Sequence, residues 1–246
     1  MRSCLAWRNG WLSDVAARSM SSVGDKFNGI GMTSTRTRAR MVERVRELGV
    51  KDETVLTAIA AVPRHIFVEE ALAIRAYEDS PLPIGAGQTI SQPYVVARMT
   101  ELLRAGGRLG KVLEIGTGCG YQTAILAQLA DEVYTVERIG SLVAKARRNL
   151  RLLKVNNVRI KHGDGSADLG EDLEVDGIIV TAAAREVPTA LLRYLKVGGR
   201  MVLPLARNDE ELRGVQLLTV IEKGPSGIRE QTYDAVRFVP LLPGLA

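Results

Sequence analysis

The chain has 246 residues, of which 46% are hydrophobic and 25% charged, the composition of a globular protein with a well-buried core. No apolar run approaches the roughly 20 residues of a membrane span, so we expect no membrane partner. The formal net charge of +5 is confined to residues 1–40, and residues 41–246 carry equal numbers of basic and acidic groups. We therefore expect no nucleic-acid partner for the main binding surface.

Cysteine and histidine are scarce. Cys4 and Cys119 are the two cysteines, and His65 and His162 the two histidines, without the paired spacing of a metal site. We expect no metal cofactor. The cysteine positions also indicate no disulfide framework, so a reducing, cytoplasmic location is the simplest interpretation.

Residues 1–31 combine serine, glycine and arginine with both tryptophans and show no sustained period. We interpret them as a disordered leader. Arg8, Asn9 and Gly10 interrupt the single candidate for the apolar core of a secretory signal. An organelle-targeting peptide is one alternative, and a mis-assigned start with translation beginning at Met32 is another. A single domain is predicted over residues 32–246, with residues 32–104 forming a helical and loop cap.

Two helices are predicted at the start of this domain. The first covers about residues 37–48, with Met41, Val42 and Val45 on one apolar face. The second extends from an N-cap at Asp52 to residue 61, where Pro63 ends it. A third, short helix is predicted over residues 69–76.

Residues 81–93, PLPIGAGQTISQP, are rich in proline and glycine and predict an ordered, non-helical loop. Pro93 suits the first turn of a helix that continues to residue 103, which makes Ser91 or Gln92 its N-cap. On the residues alone, helix capping is the favoured interpretation of the Ser91 hydroxyl.

Residues 111–124, KVLEIGTGCGYQTA, pass from a short apolar strand through three glycines into a helix. Gly116, Gly118 and Gly120 allow positive φ and a close ligand approach, which is typical of the first crossover of a doubly wound α/β nucleotide-binding fold. The third glycine comes one position early for a dinucleotide, and no G-K-[ST] follows, so neither NAD nor ATP is indicated. A tight turn without a ligand is the alternative.

A second strand is predicted over residues 132–137. Glu137 lies 21 residues after Gly116, close to the roughly 20-residue spacing at which an acid binds a ribose diol. This spacing favours a nucleoside ligand. The alternative is a solvated carboxylate at the end of a strand.

The rest of the chain continues the alternation of helix and strand. An Asp164-Gly165 turn follows the third strand at the carboxyl edge of the sheet, either near an adenine or as a plain Asp-Gly turn. A final hairpin should add antiparallel strands at one edge of an otherwise parallel sheet. The predicted elements are helix 142–152 with an outer basic face that includes Lys145, strand 158–161, strand 176–181, helix 187–195, strand 201–205 and the hairpin 214–221 with 232–240.

Together these motifs resemble those of class I S-adenosylmethionine-dependent methyltransferases. The matching residues are LEIGTGCG, Glu137, Gly163-Asp164-Gly165 and KVGGR at residues 196–200. More narrowly, the segments LPIGAGQTISQPYVVARMTELL, DGIIVTAAAREVPTALL and VRFVPLL are similar to the bacterial protein-L-isoaspartate O-methyltransferase family. The likeness covers the chain from about Met32 onward, and TISQP is specific to that family.

The resemblance implies a Rossmann-like fold and methyl transfer from S-adenosylmethionine to the free α-carboxylate of L-isoaspartyl residues in damaged proteins. It places the amino-acid part of the cofactor at the glycine turn, the ribose at Glu137 with Arg138 beside it, and the adenine at Asp164 and Gly165. It also implies that Ser91 is the active-site hydroxyl, which reverses the capping interpretation. The remaining implied cofactor contacts are Gln88, Thr89 and Ile90 over the ligand, and Gly116, Thr117, Gly118, Cys119 and Gly120 in the turn, where Cys119 replaces the family's common serine.

A carboxylate acceptor is already ionised near neutral pH and needs no general base, so Ser91 would orient it rather than act as a nucleophile. We expect isoaspartyl proteins as partners and a monomeric enzyme. A methyltransferase acting on a small molecule or RNA, and a non-catalytic nucleoside-binding module, are the alternatives.

Overall fold

The computed structural model describes residues 12–13, 29, 31–167, 169, 173–206 and 214–246. The predicted leader therefore lies almost wholly outside the described residues and stays a prediction. Short 3₁₀ helices cover Gly31–Thr33, Arg64–Phe67 and Glu70–Arg75. The α-helices are α1 (Thr35–Glu47), α2 (Glu53–Ala61), α3 (Pro93–Arg104), α4 (Tyr121–Leu129), α5 (Gly140–Leu152) and α6 (Thr189–Leu192). The strands are β1 (Leu12–Ser13), β2 (Leu82–Gly85), β3 (Gln88–Ile90), β4 (Leu109–Ile115), β5 (Ala130–Glu137), β6 (Val158–His162), β7 (Val175–Val180), β8 (Leu195–Ala206), β9 (Gln216–Gly224) and β10 (Gly227–Val236).

The central sheet has the order β1-β6-β5-β4-β7-β8-β9-β10. Its middle strands are parallel, with Val112 of β4 opposite Val133 of β5 and Gly177 of β7. Strands β9 and β10 are antiparallel at one edge. The predicted fold, a doubly wound and mostly parallel sheet with an antiparallel C-terminal hairpin, is confirmed. At the other edge the short β1 pairs antiparallel with β6, which the sequence did not predict.

The central parallel strands β4, β5 and β7 are buried over most of their length, on both faces of the sheet. Val112, Leu113 and Ile115 of β4 are at most 2% exposed. Such continuous apolar runs are what a parallel sheet requires. Chain order reverses between β4 and β7, and in open α/β sheets a ligand lies outside the carboxyl ends of the strands at such a switch point. The topology therefore places a site beyond Ile115 and Val180.

The N-terminal helices form as predicted. The apolar face of α1, with Met41, Val42 and Val45, is buried. Asp52 is the N-cap of α2, since its Oδ1 accepts from the backbone N–H groups of Thr54 and Val55 at 2.9 and 3.3 Å. This cap satisfies amides that would otherwise lack a partner at the helix start.

Two predicted elements differ in the structure. The loop over residues 81–93 contains a two-stranded hairpin, in which Leu82 pairs with Ile90. The helix predicted over residues 187–195 is only the single turn α6, because Leu195 already pairs with Val175 of β7 and starts β8. Tertiary strand pairing overrides the local helical pattern there.

Candidate active site

The glycine turn after β4 adopts a backbone that other residues rarely accept. Gly116, Gly118 and Gly120 have φ of +95°, +56° and +91°. A Cβ at position 116 would lie 2.4 Å from Oγ1 of Thr181, which donates to the Gly116 carbonyl at 2.7 Å. The positive φ at all three positions was predicted from the sequence, and at Gly116 a side chain is excluded sterically as well.

A cavity open to solvent, called here the turn cleft, lies over this turn at the carboxyl ends of β4 and β5. Glycines and apolar side chains such as Leu142 share its lining with polar side chains such as Glu137 and Thr181. Its lining consists of Ile84, Gln88, Thr89, Ile115, Gly116, Gly118, Val136, Glu137, Arg138, Ile139, Leu142, Gly165, Thr181, Ala182, Val239, Pro240, Leu241 and Leu242.

Glu137 joins the end of β5 to the glycine turn. Its Oε2 accepts from the Gly118 N–H at 2.8 Å, and its Oε1 accepts from the Ile139 N–H at 2.9 Å. The residue is 5% exposed, so the alternative of a solvated carboxylate is wrong. A carboxylate has about four acceptor positions, and two backbone donors leave capacity for hydroxyl donors in the cleft.

Behind the turn, Glu114 is completely buried. Burial raises the pKa of its carboxyl group to about 8, although the hydroxyls of Thr123 and Thr135 donate to its Oε2 at 2.5 and 2.6 Å and oppose the rise. Its other oxygen, Oε1, has no hydrogen-bond partner among the described residues. The sequence analysis did not single out Glu114, which lies under the turn and whose raised pKa favours the uncharged form at neutral pH.

Two further cavities continue from the turn cleft, and Thr89 and Thr181 line all three. The first, called the inner pocket, has a volume of about 410 Å³. It is lined by Thr89, Ile90, Ser91, Val96, Met99, Gly116, Thr117, Gly118, Cys119, Tyr121, Gln122 and Thr181. The second, called the open groove, has a volume of about 1110 Å³ and lies between α3 and the end of β10. It is lined by Pro81, Thr89, Ser91, Gln92, Tyr94, Val95, Thr181, Ala235, Val236, Arg237, Phe238 and Val239.

Ser91 stands where the inner pocket meets the open groove, since it lines both. The N-cap of α3 is Gln92, which makes no side-chain capping bond. Instead the N–H of Tyr94 donates to Oδ1 of Asp79 at 2.8 Å. The Ser91 side chain makes no hydrogen bond within the described part of the chain, so the capping interpretation is wrong and its hydroxyl is free for a ligand.

The hairpin β2–β3 is held over the site by α5. The Nζ of Lys145 donates to the Ile84 carbonyl at 3.0 Å and pairs with Glu69 at 2.6 Å. Lys145 therefore points inward and supports the hairpin, and its prediction as part of an outer basic face is wrong. Gln88 and Thr89 consequently line the turn cleft, and their contact with the cofactor stays a prediction.

The segment after β10 covers the outer end of the turn cleft. Nε of Arg138 donates to the Gly244 carbonyl at 2.8 Å, and Oδ2 of Asp164 accepts from the Gly244 N–H at 2.6 Å. Although partial burial opposes it, the hydrogen bonds from Gly244 and Ser166 hold the pKa of Asp164 below its ordinary value. Residues 239–242 thereby form a wall of the cleft that the sequence analysis missed.

Most of the predicted site residues come together. Gly120 and Asp164 line none of the three cavities: Gly120 is the N-cap of α4, where a Cβ would meet Ala146 at 3.4 Å, and Asp164 bonds to Gly244. Thr181, which the sequence analysis missed, directly follows β7 at the carboxyl edge of the sheet, and its position before three alanines was the available signal. The predicted site residues that line a cavity are Gln88, Thr89, Ile90, Ser91, Gly116, Thr117, Gly118, Cys119, Glu137, Arg138 and Gly165.

Two kinds of feature are absent from the described residues. No group of three His, Cys, Asp or Glu side chains is arranged to hold a metal ion there. No helix in that part of the chain has the length and apolar character needed to cross a membrane.

Comparisons with known proteins agree on one family. The family model for protein-L-isoaspartate(D-aspartate) O-methyltransferase matches residues 36–245. Proteins named protein-L-isoaspartate O-methyltransferase from Methylobacillus flagellatus and Dechloromonas aromatica are 59% and 60% identical, each over 89% of this chain and over 97% and 99% of their own lengths. The structure is similar, with a TM-score of 0.70 and 26% identity, to a candidate protein-L-isoaspartate O-methyltransferase from Plasmodium falciparum in complex with S-adenosyl-L-homocysteine, covering 83% of this chain and 98% of that one. The chain belongs to the protein-L-isoaspartate(D-aspartate) O-methyltransferase family.

Proposed function

We propose that this chain transfers the methyl group of S-adenosylmethionine to the free α-carboxylate of L-isoaspartyl residues in damaged proteins, the step that starts their conversion back toward aspartyl. Membership of the family supports the reaction. The observation that carries the residue assignment is the free Ser91 hydroxyl at the junction of the inner pocket and the open groove.

The turn cleft and the inner pocket together fit the two parts of S-adenosylmethionine. The glycine turn brings bare backbone to the cavity wall, and a Cβ at position 165 would fall 2.4 Å from Cγ2 of Ile115. Glu137 would accept the ribose hydroxyls, and Gly165 with Leu241 and Leu242 would contain the base. Thr117, Gly118 and Cys119 would lie along the amino-acid part. Bound there, the cofactor supplies an electrophilic methyl group.

The open groove would hold the acceptor chain, with Ser91 donating its hydroxyl hydrogen to one oxygen of the α-carboxylate. The other oxygen would then face the inner pocket. Arg237 is the one charged residue among the lining residues of the groove, which include no aspartate, glutamate or histidine. A carboxylate is ionised near neutral pH, so this lining suits a reaction driven by orientation and exclusion of water, without a general base.

We propose further that the enzyme acts as a monomer in the cytoplasm and has no nucleic-acid partner. Side chains of one chain line all three cavities, so the site needs no second subunit. The charge balance over residues 41–246 supports damaged proteins rather than nucleic acids as partners.

A pair of isomeric peptides tests the proposed reaction. With labelled methyl donor, we expect methyl incorporation into a peptide that contains L-isoaspartate and none into the same peptide with L-aspartate. An enzyme for small molecules or RNA would methylate neither peptide. A binding module would bind the cofactor without turnover, so either result would overturn the proposal.

A further inference from the structure

Helix α3 begins beside the proposed acceptor site, and its start is capped from outside the helix. The first amides of a helix lack partners within it, and the side chain of the N-cap residue ordinarily accepts from one of them. Here the N-cap is Gln92, which makes no such bond, and neighbouring Ser91 makes none. The partner of the Tyr94 amide is the carboxylate of Asp79, at 2.8 Å.

The same carboxylate also closes the base of the hairpin. Oδ2 of Asp79 accepts from Nε2 of Gln92 at 3.4 Å. Asp79 precedes β2, and Gln92 follows β3, so these contacts hold the entry and the exit of the hairpin together. Ser91 lies between Ile90, which is paired with Leu82, and the bonded Gln92. Its backbone is therefore fixed on both sides.

The segment that carries Asp79 rests on a buried support. Nη2 of Arg64 donates to the Ser80 carbonyl at 3.4 Å. Arg64 is completely buried, and its guanidinium lies over the Tyr121 ring at 4.8 Å from the ring centre. Tyr121 in turn lines the inner pocket. A side chain held on such a support can fix the positions of its neighbours.

We infer that Asp79 is a positioning residue for the acceptor: it caps α3 in place of Ser91 and so keeps the Ser91 hydroxyl free and fixed at the junction of the cavities. The inference rests on the proposed function of Ser91. Serine is a preferred capping residue and stands next to the helix start. Without the Asp79 carboxylate, the Tyr94 amide would compete with the acceptor for the Ser91 hydroxyl oxygen.

The test compares Asp79→Ala with Asp52→Ala, which removes the cap of α2. Asp52 accepts from two amides at the start of α2 and pairs with Arg104 at 2.8 Å, yet lines none of the three cavities. Both substitutions should lower the melting temperature. We expect Asp79→Ala to lower kcat about tenfold, within the roughly hundredfold that a 1 Å misplacement can cost, with an unchanged Kd for S-adenosylmethionine. Asp52→Ala should leave kcat at the wild-type value.

A double-mutant cycle shows whether Asp79 acts through Ser91. In a Ser91→Ala background, Asp79→Ala should lower kcat no further. An equal further loss in that background, or a wild-type kcat for Asp79→Ala, would overturn the inference while leaving the role of Ser91 intact. A wild-type kcat for Ser91→Ala alone would instead overturn the proposed role of Ser91, and the inference with it.

Asp79→Asn supplies a second variant if the alanine variant does not fold. Its amide oxygen can still accept from Tyr94, but its NH₂ group would face the NH₂ group of Gln92. We expect a smaller loss in kcat, about threefold, again absent in the Ser91→Ala background. A wild-type kcat for Asp79→Asn together with an unfolded Asp79→Ala would reduce Asp79 to a purely structural residue and contradict the inference.

Discussion

The turn cleft and the open groove meet at Thr89 and Thr181, yet they draw their residues from the chain in different ways. The cleft is built around one local stretch, the glycine turn, and one residue at the end of the next strand, Glu137. The groove combines the start of α3 with the end of β10, two segments more than 130 residues apart. The proposed cofactor site therefore depends mainly on a continuous backbone motif, whereas the proposed acceptor site depends on tertiary packing.

The largest expected effect is at the centre of the cleft. Gly116→Ala combines a left-handed backbone with a Cβ placed 2.4 Å from Thr181 Oγ1. We therefore expect a loss of about 3 kcal/mol in the free energy of unfolding and a much weaker affinity for the cofactor. Gly198→Ala is the matched control, because its φ is +86° but a Cβ there would meet nothing within 4 Å. It should cost about 1 kcal/mol and leave the cofactor Kd unchanged. Equal effects of the two variants on both quantities would contradict the steric account.

Glu114, which lies beneath the turn cleft, should make the stability of the protein depend on pH. Because the pKa of Glu114 is raised to about 8, the folded protein keeps a proton between the ordinary glutamate pKa and about pH 8 that the unfolded chain has lost. This group therefore lowers stability as the pH rises through that window, by about 1.4 kcal/mol per pH unit. Denaturant unfolding at pH 5.5, 6.5 and 7.5 should show this fall relative to Glu114→Gln. If Glu114→Gln and the wild type lost stability in parallel between pH 5.5 and 7.5, Glu114 would be ionised in the folded protein and the account of an uncharged support would be wrong.

Glu137→Gln tests the cofactor side of the site. The amide keeps the shape of the side chain but removes the charge that accepts from Gly118 and from the proposed ribose hydroxyls, so the Kd for S-adenosylmethionine should rise about tenfold. The kcat at saturating cofactor should change little. Glu132→Gln, near the opposite end of β5 and paired with Arg159, should not alter the Kd. Calorimetric titration of the three proteins distinguishes these outcomes, and an unchanged Kd for Glu137→Gln would remove Glu137 from the ribose site.

The smallest expected effect concerns the wall formed by residues 239–242. Asp164 lines none of the three cavities, so Asp164→Ala should act through the lost Gly244 contact and speed cofactor dissociation about threefold, the cost of one exposed hydrogen bond. Ser166→Ala, which leaves the Gly244 contact in place, should have no effect. Stopped-flow displacement of bound cofactor measures both rates, and identical rates for Asp164→Ala and wild type would show that this contact does not hold the wall.

The sequence predicts the cofactor side of the site better than the acceptor side for a physical reason. The positions of Gly116 and Glu137 follow from the period of strand, turn and helix, which local residues determine. The capping role of Asp79 and the inward position of Lys145 depend on contacts with segments that no local period connects to them. The same limit explains why the helix predicted over residues 187–195 is wrong, since Leu195 pairs with Val175 of β7 instead of continuing the helix. Arg138 lines the turn cleft and Asp164 does not, and the bonds of both to Gly244 join segments 80 to 106 residues apart.

A Ser91→Ala variant tests most directly whether cofactor binding and acceptor orientation depend on different residues. We predict that Ser91→Ala lowers kcat for an isoaspartyl peptide about tenfold or more, because the acceptor carboxylate loses its orienting donor, while the Kd for S-adenosylmethionine stays at the wild-type value. Steady-state kinetics together with calorimetric titration of the same preparation measures both quantities. An unchanged kcat, or a loss that appears equally in the cofactor Kd, would contradict the assignment of Ser91 to the acceptor.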